Sequence, residues 1–445
     1  MRMGISKVVH KQNLQAGPAG LVFVGQMAKL AGLDAVAKQV TIGRPQISTE
    51  NILKTMLGLM VQGKTDFDHV KPLAANRYFM NAVDIDRVPS AETYRQTFQR
   101  IALNTELEAM LPRCSVKLWK KAGMDHEYVQ KDDKKWVRMD IDPVIYDNDE
   151  TKKEGAAHTY NKKFGFAAIF AHLACGWMVN ADLFPGNTSF HGPETIGFVN
   201  QSLGLADRMT DATKLLVMDC GLEDQEMLAS LHDRPNTDFI LKYNRRRESS
   251  TKWLELAKEK GVLIREDVKK GYRMYRGSTY RRLRNREEEI RLVFDVKETY
   301  KEKGQLLFLP KVEIFSVWTS LKVFNDKEIL RLYRMRGTSE QFHAEFKTEM
   351  DMERLPSGKF KVNKAFLRMG MLAHNMLKVI SQDMVMEKAL GLKRATRRRI
   401  KTVMNSVIFM SCRLIKHARS MVLQLGCSRE WHEWFSGLFQ RLKPA

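Results

Sequence analysis

The sequence predicts an α/β protein in which a mixed-sheet core is interrupted by a β-rich insertion and flanked by helical regions. Three observations lead to this prediction. Apolar residues follow helical spacing over 17–122 and again over about 328–388. From Trp136 the apolar residues alternate as they do in strands, and predicted strands and helices then follow one another to residue 244. Residues 245–325 add further strand-like runs among many cations.

A chain of 445 residues is too long for one compact core and suggests two or three domains, which we divide into five parts. In chain order they are a helical DNA-binding region, the first part of the sheet core, a basic β-rich insertion, the second part of the core and a basic helical C-terminal region. The predicted bounds of these parts are 1–125, 126–244, 245–325, 326–390 and 391–445.

The N-terminal region carries two clear helix starts. In ISTENILKTMLGLMVQG, Ser48 or Thr49 can cap a helix whose apolar residues recur at i, i+3 and i+4. A second helix is expected after Pro89, with Ser90 as its N-cap. Helices of this kind can form a DNA-binding head or a plain helical bundle, and no helix-turn-helix signature decides between the two.

The core is predicted from residue 126 onward. WVRMDIDPVIYD alternates in the manner of a strand. The apolar run 164–184 contains His172, Asn180 and Asp182, whereas a membrane span requires about 20 residues almost free of polar groups. We therefore predict two buried strands that turn at Cys175–Gly176. A helix, a strand, a helix and a strand follow at 193–203, 213–219, 223–231 and 237–244.

The charge of the chain predicts a polyanionic partner. There are 74 Lys and Arg residues against 52 Asp and Glu residues, which gives a net charge of +22. Such an excess favours nucleic acid as the partner, although a basic protein can also be merely soluble. The five cysteines form no CxxC pair and no Cys/His cluster, so neither a disulfide framework nor a structural zinc site is indicated. A reducing cytoplasm suits this pattern.

The insertion carries the densest basic clusters. They are RRR at 245–247 and RRLRNR at 281–286, and between them Lys269, Lys270, Arg273 and Arg276 alternate with Tyr272, Tyr275 and Tyr280. Cations that alternate with aromatic rings suit phosphate contact combined with base stacking, so Arg281 and Arg282 are candidate DNA contacts. The alternative is a solvated charged face.

Acidic residues lie on or at the end of two predicted core strands. Asp140 and Asp142 are two residues apart and so face one side of their strand, and Asp219 closes the apolar strand TKLLVMD. A charge at the end of a buried strand is costly unless it is paired or bound to a metal. With one glutamate from a helix, two such aspartates would form an all-oxygen site that suits Mg²⁺. Any single acid could instead be a capping or salt-bridged carboxylate.

The stretch LYRMRGTSEQFHAEFK, residues 332–347, supplies the glutamate. Glu340 lies among an aromatic hydroxyl and two cations at offsets of −7, −4 and +7, namely Tyr333, Arg336 and Lys347. On one continuous helix these four side chains would fall within about 60° of one another and face one DNA backbone. A capping box at Thr338 and Gln341 favours a helix start at 339 instead. In that case Tyr333 and Arg336 arrive from the preceding turn.

The same four residues match the Y-x2-R-x3-E-x6-K signature, and the sequence resembles the bacterial insertion-sequence transposases of the DDE type, which have an RNase H-like core. The resemblance covers roughly 135–415. It extends to DID, PGNTS, MDCG and ERLPSGKFKVNKAFLRMGMLAHNML, at 140–142, 185–189, 218–221 and 353–377. The large basic insertion between Asp219 and Glu340 is also similar to the β-rich insertion of that group.

The resemblance implies roles for individual residues. Asp142, Asp219 and Glu340 would be the catalytic triad and would bind two Mg²⁺ ions, or Mn²⁺. Asp140 is the alternative first ligand, because a proline follows Asp142 where the family usually has a small polar residue. Phosphate contacts would come from the signature residues Tyr333, Arg336 and Lys347. By the same resemblance, Trp318 could stack on an extruded base, and a core tryptophan is the alternative.

The implied function is DNA-mediated cut-and-paste transposition, in which metal-dependent cleavage at the ends of an insertion sequence precedes strand transfer. The implied partner is double-stranded DNA, from the element ends and the target, bound by a homodimer. We expect a location in the bacterial cytoplasm with the nucleoid and no membrane partner. The alternatives are an RNase H-like nuclease without strand transfer and a non-catalytic, basic nucleic-acid-binding protein.

Overall fold

The computed structural model describes residues 15–43, 45–149, 151–246, 248–284, 286–387, 390–418 and 420–444. The chain forms two compact units. One unit is Asp125–Ala344, and the other combines the chain before Asp125 with the chain after Ala344. Of the predicted basic clusters, Arg247 and the Asn285 that interrupts RRLRNR lie outside the described residues, as do the first 14 residues of the predicted N-terminal region.

The segment before Asp125 is helical, as its spacing predicts, apart from one short strand. Its elements are β1 (Ala16–Pro18), α1 (Leu21–Ala31), α2 (Leu33–Val40), α3 (Thr49–Met60), α4 (Arg77–Val83), α5 (Ala91–Ala102) and α6 (Thr105–Lys121). Both expected caps are present. The Ser48 hydroxyl accepts the Asn51 backbone N–H at 3.1 Å, and the Ser90 hydroxyl accepts that of Thr93 at 3.2 Å.

The first part of the other unit is a mixed sheet with helices. Its elements are β2 (Tyr128–Lys131), β3 (Lys134–Asp147), β4 (Ala157–His158), β5 (Phe164–Leu173), β6 (Met178–Pro185), α7 (Pro193–Asp207), β7 (Thr213–Met218), α8 (Gln225–Asp233) and β8 (Thr237–Lys242). β5 is antiparallel to both β3 and β6, whereas β7 is parallel to β3 and β8 is parallel to β7. The resulting order, β6-β5-β3-β7-β8, is that of an RNase H-like core, which confirms the predicted fold class.

The apolar run at 164–184 forms the hairpin β5–β6, as predicted. Most of its side chains are buried in the sheet, and Gly176 makes the turn with a φ of 85°, a conformation that glycine adopts without steric cost. No helix among the described residues is both long and apolar enough to cross a lipid bilayer.

The insertion is β-rich, as predicted, and extends the core sheet. It comprises α9 (Ser250–Lys260), β9 (Gly261–Asp267), β10 (Tyr272–Arg282), β11 (Glu289–Glu302) and β12 (Gln305–Thr319). These strands are antiparallel neighbours in the order β12-β11-β10-β9, and β12 pairs with β8. The insertion and the core therefore share one continuous sheet.

The helical segment that carries the first three signature residues covers one face of this sheet. It consists of α10 (Asp326–Arg334), a 3-10 turn (Met335–Thr338) and α11 (Ser339–Ala344). Ile329, Leu330 and Tyr333 of α10 pack in a buried cluster with Trp136 of β3 and Val217 of β7. This packing places the turn and α11 beyond Trp136, along the same face of β3.

The chain after Ala344 returns to the helical unit. Its elements are a π-helical turn (Glu345–Glu349), α12 (Phe360–Met386), α13 (Ile400–Val403), a second π-helical turn (Met404–Ile408), β13 (Ser411–His417), β14 (Ser420–Leu425) and α14 (Arg429–Arg441). The hairpin β13–β14 was not predicted from the sequence. β13 pairs with β1, with Gly17 opposite Cys412, so the partner that stabilises it comes from the far end of the chain.

Candidate active site

Two of the predicted acids lie side by side where the parallel pairing of β3 with β7 ends. The pairing of β3 with β7 places Asp140 opposite Val217 and ends with Ile141 opposite Met218. Asp142 and Asp219 are the next residues on the two strands. They share one face of the sheet with Asp140 because side chains alternate along a strand. The edge formed by strand carboxyl ends is where open α/β sheets bind ligands.

Pro143 is accommodated without breaking the core. Its position lies beyond the last β3–β7 pair, and it pairs only with Ile169 of the antiparallel strand β5. A proline lacks the backbone N–H that a central strand needs for a second neighbour. At Pro143, β3 has already separated from β7, and β5 is the one neighbouring strand with which it still pairs. The missing N–H of Pro143 therefore costs no hydrogen bond to β7.

A single arginine links the two strand-end aspartates. The Arg336 guanidinium donates from Nη2 to Asp142 Oδ1 at 2.5 Å, and its Nη1 lies 4.0 Å from Asp219 Oδ2. The Tyr333 hydroxyl donates to Asp219 Oδ1 at 3.2 Å, and Lys242 Nζ lies 3.6 Å from the same oxygen. The positive charge of Arg336 therefore lies against both carboxylates.

The two carboxyl groups differ in acidity. Burial raises the pKa of Asp142 to about 6; the negative charges of Asp219 and Asp140 add to the rise, and Arg336 opposes it. Burial also acts to raise the pKa of Asp219, but the Cys220 backbone N–H, Arg336 and Lys242 together bring it below its ordinary value. Asp142 is thus the carboxyl whose ionisation the fold disfavours.

Glu340 lies on the exposed side of α11. Ser339 faces Asp140, and His343 Nδ1 lies 3.8 Å from Asp142 Oδ2, so the helix face that contains both residues packs on β3. Glu340 follows Ser339 directly and is turned toward solvent. Among the described residues, no group of three His, Cys, Asp or Glu side chains is arranged to hold a metal ion. The donor chemistry of Asp142 and Asp219 suits a hard divalent ion, and in this structure both carboxylates are in contact with Arg336.

The structure decides between the two predicted geometries of the signature. Tyr333 belongs to α10, Arg336 to the 3-10 turn, and Glu340 is the second residue of α11. The helix therefore starts at Ser339, and the first two signature residues come from the preceding helix and turn. Lys347 lies in the π-helical turn that belongs to the other compact unit, where its Nζ is 2.7 Å from Glu353 Oε1.

Asp140, the alternative first ligand, is in a different environment from Asp142. It is 1% exposed, and its Oδ2 accepts a hydrogen bond from Arg138 Nη2 at 2.8 Å. Burial raises the pKa of this carboxyl, and Arg138 opposes the rise. Sequence reasoning missed Arg138. The only signal for it was its position two residues before Asp140, on the same face of the strand.

The predicted DNA contacts of the insertion have different surroundings. Arg281 Nη1 donates to Tyr243 Oη and to Glu248 Oε1, both at 2.7 Å, and its guanidinium lies 5.1 Å from the ring centres of Tyr243 and Trp253. Its charge is thus already balanced by a neighbouring carboxylate. The adjacent Arg282 is exposed at the end of β10.

Trp318 belongs to the core, which was the alternative to base stacking. The side chain is 3% exposed, and its Nε1 donates to the buried Glu223 at 3.1 Å. Its ring packs edge-on against Tyr243, with ring centres 5.2 Å apart. In this structure the indole offers no open face to a base.

The strand order and the two neighbouring strand-end aspartates define the class of the protein as RNase H-like. Residues 16–445 match the family model described as transposase DDE domain group 1. The chain therefore belongs to the DDE transposase family, whose members catalyse DNA cleavage and strand transfer and generally depend on divalent metal ions. The resemblance inferred from the signature is confirmed at the level of this family.

The chain is also similar to a solved structure, a piggyBac transposase synaptic complex with hairpin DNA determined by cryo-electron microscopy. The TM-score is 0.42 and the sequence identity is 10%; the alignment covers 88% of this chain and 82% of that one. No curated protein matches the chain.

Proposed function

We propose that this transposase excises an insertion sequence from bacterial DNA and joins it to a target by a cut-and-paste route. The observation that carries the proposal is the position of Asp142 and Asp219. In a chain of the DDE transposase family, they lie together at the strand ends, against the segment that holds Tyr333, Arg336 and Glu340. Paired carboxylates at such an edge are the ligands that phosphodiester chemistry with divalent ions requires.

Asp142, Asp219 and Glu340 are the residues that we assign to metal binding, with Mg²⁺ or Mn²⁺ as the ion and two ions per site. Such a pair of ions would activate the attacking water or 3′-hydroxyl and stabilise the leaving oxygen. Asp142 is preferred over Asp140 because it borders Asp219 through Arg336, whereas Asp140 is fully buried and bonded to Arg138.

Arg336 acts in two ways under this proposal. Without DNA, its guanidinium neutralises Asp142 and Asp219, which would otherwise repel each other across neighbouring strands. A guanidinium binds phosphate oxygens at least as well as carboxylates, since both accept its paired N–H groups. We propose that a DNA phosphate draws Arg336 from the aspartates. Tyr333 then donates a hydrogen bond to the same backbone. Lys347, the fourth signature residue, is assigned to phosphate contact as well.

The DNA partner is supported by charge. The chain carries a net charge of +22, and the insertion presents Arg282 on its surface. We propose that the N-terminal region and the insertion bind the element ends, within the five-part division predicted from the sequence. A homodimer in the DNA complex is proposed because two ends have to be joined to one target.

The test is Mg²⁺-dependent excision and joining of a plasmid segment with the native flanks of the gene. Glu340→Gln and Asp142→Asn are each expected to abolish both cleavage and joining while DNA binding persists. Glu226→Gln is the matched control, because Glu226 is also an exposed glutamate at the second position of a helix, α8, and is expected to retain activity.

Three results would contradict parts of the proposal. Excision that survives Glu340→Gln would exclude the proposed site. Activity that survives Asp142→Asn but not Asp140→Asn would transfer the ligand role to Asp140. Cleaved products without joined ones in the wild-type protein would indicate a nuclease of the same fold.

A further inference from the structure

A buried ion pair lies on β3, next to the candidate active site. Arg138 and Asp140 are 3% and 1% exposed, and Arg138 Nη2 donates to Asp140 Oδ2 at 2.8 Å. Both side chains project from the strand face that also carries Asp142. The proposed chemistry uses neither of them.

The same guanidinium also reaches the segment that covers the strand. Arg138 Nη2 lies 3.2 Å from the Met335 carbonyl oxygen and 3.3 Å from Thr338 Oγ1. Met335 and Thr338 are the first and last residues of the 3-10 turn between α10 and α11. One buried side chain thus joins the centre of the sheet to both ends of this turn.

Stability alone does not explain the pair. Burying two opposite charges removes both from water, and well-packed apolar side chains of similar volume are often at least as stabilising. The neighbouring positions on β7, across from Arg138 and Asp140, are Leu215 and Val217, both fully buried and apolar. An apolar layer is therefore compatible with this part of the sheet, and the distinctive property of the ion pair is its directional bonding.

The turn that Arg138 holds carries two of the proposed active-site residues. Arg336 lies between the two anchoring residues, and Glu340 follows Thr338 by two positions. Ser339, which begins α11, has its hydroxyl buried at Asp140. A rotation of this turn would move Arg336 and Glu340 together, relative to Asp142 and Asp219.

We propose that Arg138 and Asp140 are positioning residues that fix the turn 335–338 and the start of α11 against β3, so that Arg336 is held against Asp142 and Asp219 and Glu340 is held at the start of the helix. The catalytic consequence rests on the proposed function. The positional consequence does not, since it concerns contacts within the folded protein. Asp140 is thereby assigned to alignment and not to metal binding.

The test replaces the pair by apolar residues of similar length, as Arg138→Met/Asp140→Leu. The matched control is Lys214→Met/Asp207→Leu. Lys214 is a buried cation on β7 whose Nζ lies 2.5 Å from Asp207 Oδ1 and 3.1 Å from the Thr210 carbonyl oxygen, in a different turn. For each full-length variant we would measure the melting temperature, amide hydrogen exchange, DNA affinity and the rate of excision.

The expected result is a selective loss of alignment. Arg138→Met/Asp140→Leu should melt no lower than the control, and its amides at 336–341 should exchange at least tenfold faster than in the wild type. Excision should slow roughly 10²-fold at unchanged DNA affinity, which is the cost expected when catalytic groups are displaced by about 1 Å. Arg138→Lys keeps the positive charge but not the planar guanidinium. Its amide exchange and excision rates should lie between those of the wild type and those of the double variant.

Unchanged exchange at 336–341 in the folded double variant would overturn the proposal. So would an excision rate that falls only in proportion to the folded fraction. If the double variant does not fold, Arg138→Lys and Asp140→Asn decide the question by the same exchange measurement. If the wild-type protein shows no excision, the proposed function fails, and hydrogen exchange still decides whether the pair fixes the turn.

Discussion

Replacement of Asp142 by asparagine should stabilise the metal-free protein at neutral and alkaline pH. Burial raises the pKa of this carboxyl from its ordinary value of 3.8 to about 6, so the folded state binds the proton more tightly than the unfolded chain does. The contribution to stability is therefore fully present below about pH 4 and is lost as the pH rises to about 6. Asparagine resembles the protonated carboxyl and cannot ionise.

The magnitude follows from the shift. At about 1.36 kcal/mol for each pKa unit, a rise from 3.8 to about 6 corresponds to about 3 kcal/mol. Above pH 7, Asp142→Asn should be more stable than the wild type by up to this amount. Near pH 4 the two proteins should be equally stable. The raised pKa already includes the favourable charge of Arg336, so no separate allowance for that ion pair is needed.

The assay is amide hydrogen exchange of β3 and β5, in EDTA, from pH 4 to pH 8, with rates corrected for intrinsic pH dependence. Exchange of these strands reports the unit that contains Asp142 and avoids assuming that two compact units unfold together. Glu226→Gln serves as the control and should follow the wild-type curve. An Asp142→Asn protein that is less stable than the wild type at pH 8, or whose stability falls equally steeply between pH 4 and pH 6, would refute the reasoning.

Three further predictions concern residues other than the proposed metal ligands. Arg282→Ala should weaken DNA binding and lower the slope of log K against log salt by about one, because Arg282 is exposed; an unchanged slope in anisotropy titrations would exclude it as a phosphate contact. Glu345→Gln should lower the free energy of unfolding, measured by thermal denaturation, by about 3–5 kcal/mol. The buried carboxylate balances two cations, with Lys378 Nζ 2.9 Å from Oε2 and Arg397 Nη1 2.6 Å from Oε1. Trp318→Phe removes the donor to buried Glu223 and should cost about 1–3 kcal/mol in denaturant titrations; a loss of DNA affinity without a loss of stability would restore the stacking role.

The sheet core could be predicted because its signals are local. Alternating or continuous apolar runs correspond to β3, β5, β6, β7 and β8, each within a few residues of the expected bounds. The strand-end rule likewise placed Asp142 and Asp219 at one edge, and the capping box at Thr338 favoured the helix start that the structure has. These features depend on residues near one another in sequence.

The features that sequence reasoning missed depend on distant partners. β13 pairs with β1, where Cys412 Sγ donates to the Gly17 carbonyl oxygen at 3.3 Å across 395 positions, and no local pattern reports such a pairing. The contacts of Arg336 also depend on distant residues. Its spacing in the signature indicates a phosphate contact, but it does not show that the guanidinium lies against Asp142 and Asp219. Arg281 was selected for its charge, and only the fold reveals that Glu248 balances that charge.

The choice between Asp140 and Asp142 shows why alternation alone is insufficient. A period of two places both side chains on one face, and it carries no information about depth in the sheet. Depth is set by where the neighbouring strand ends, and β7 ends at Met218, opposite Ile141. Asp140 is thereby enclosed, with its charge met by Arg138, and Asp142 is the first acid beyond the paired region. Pro143, which follows Asp142, was the reason for considering Asp140 as the first ligand. At Pro143, β3 has already separated from β7 and pairs only with β5, so the strand accommodates the proline.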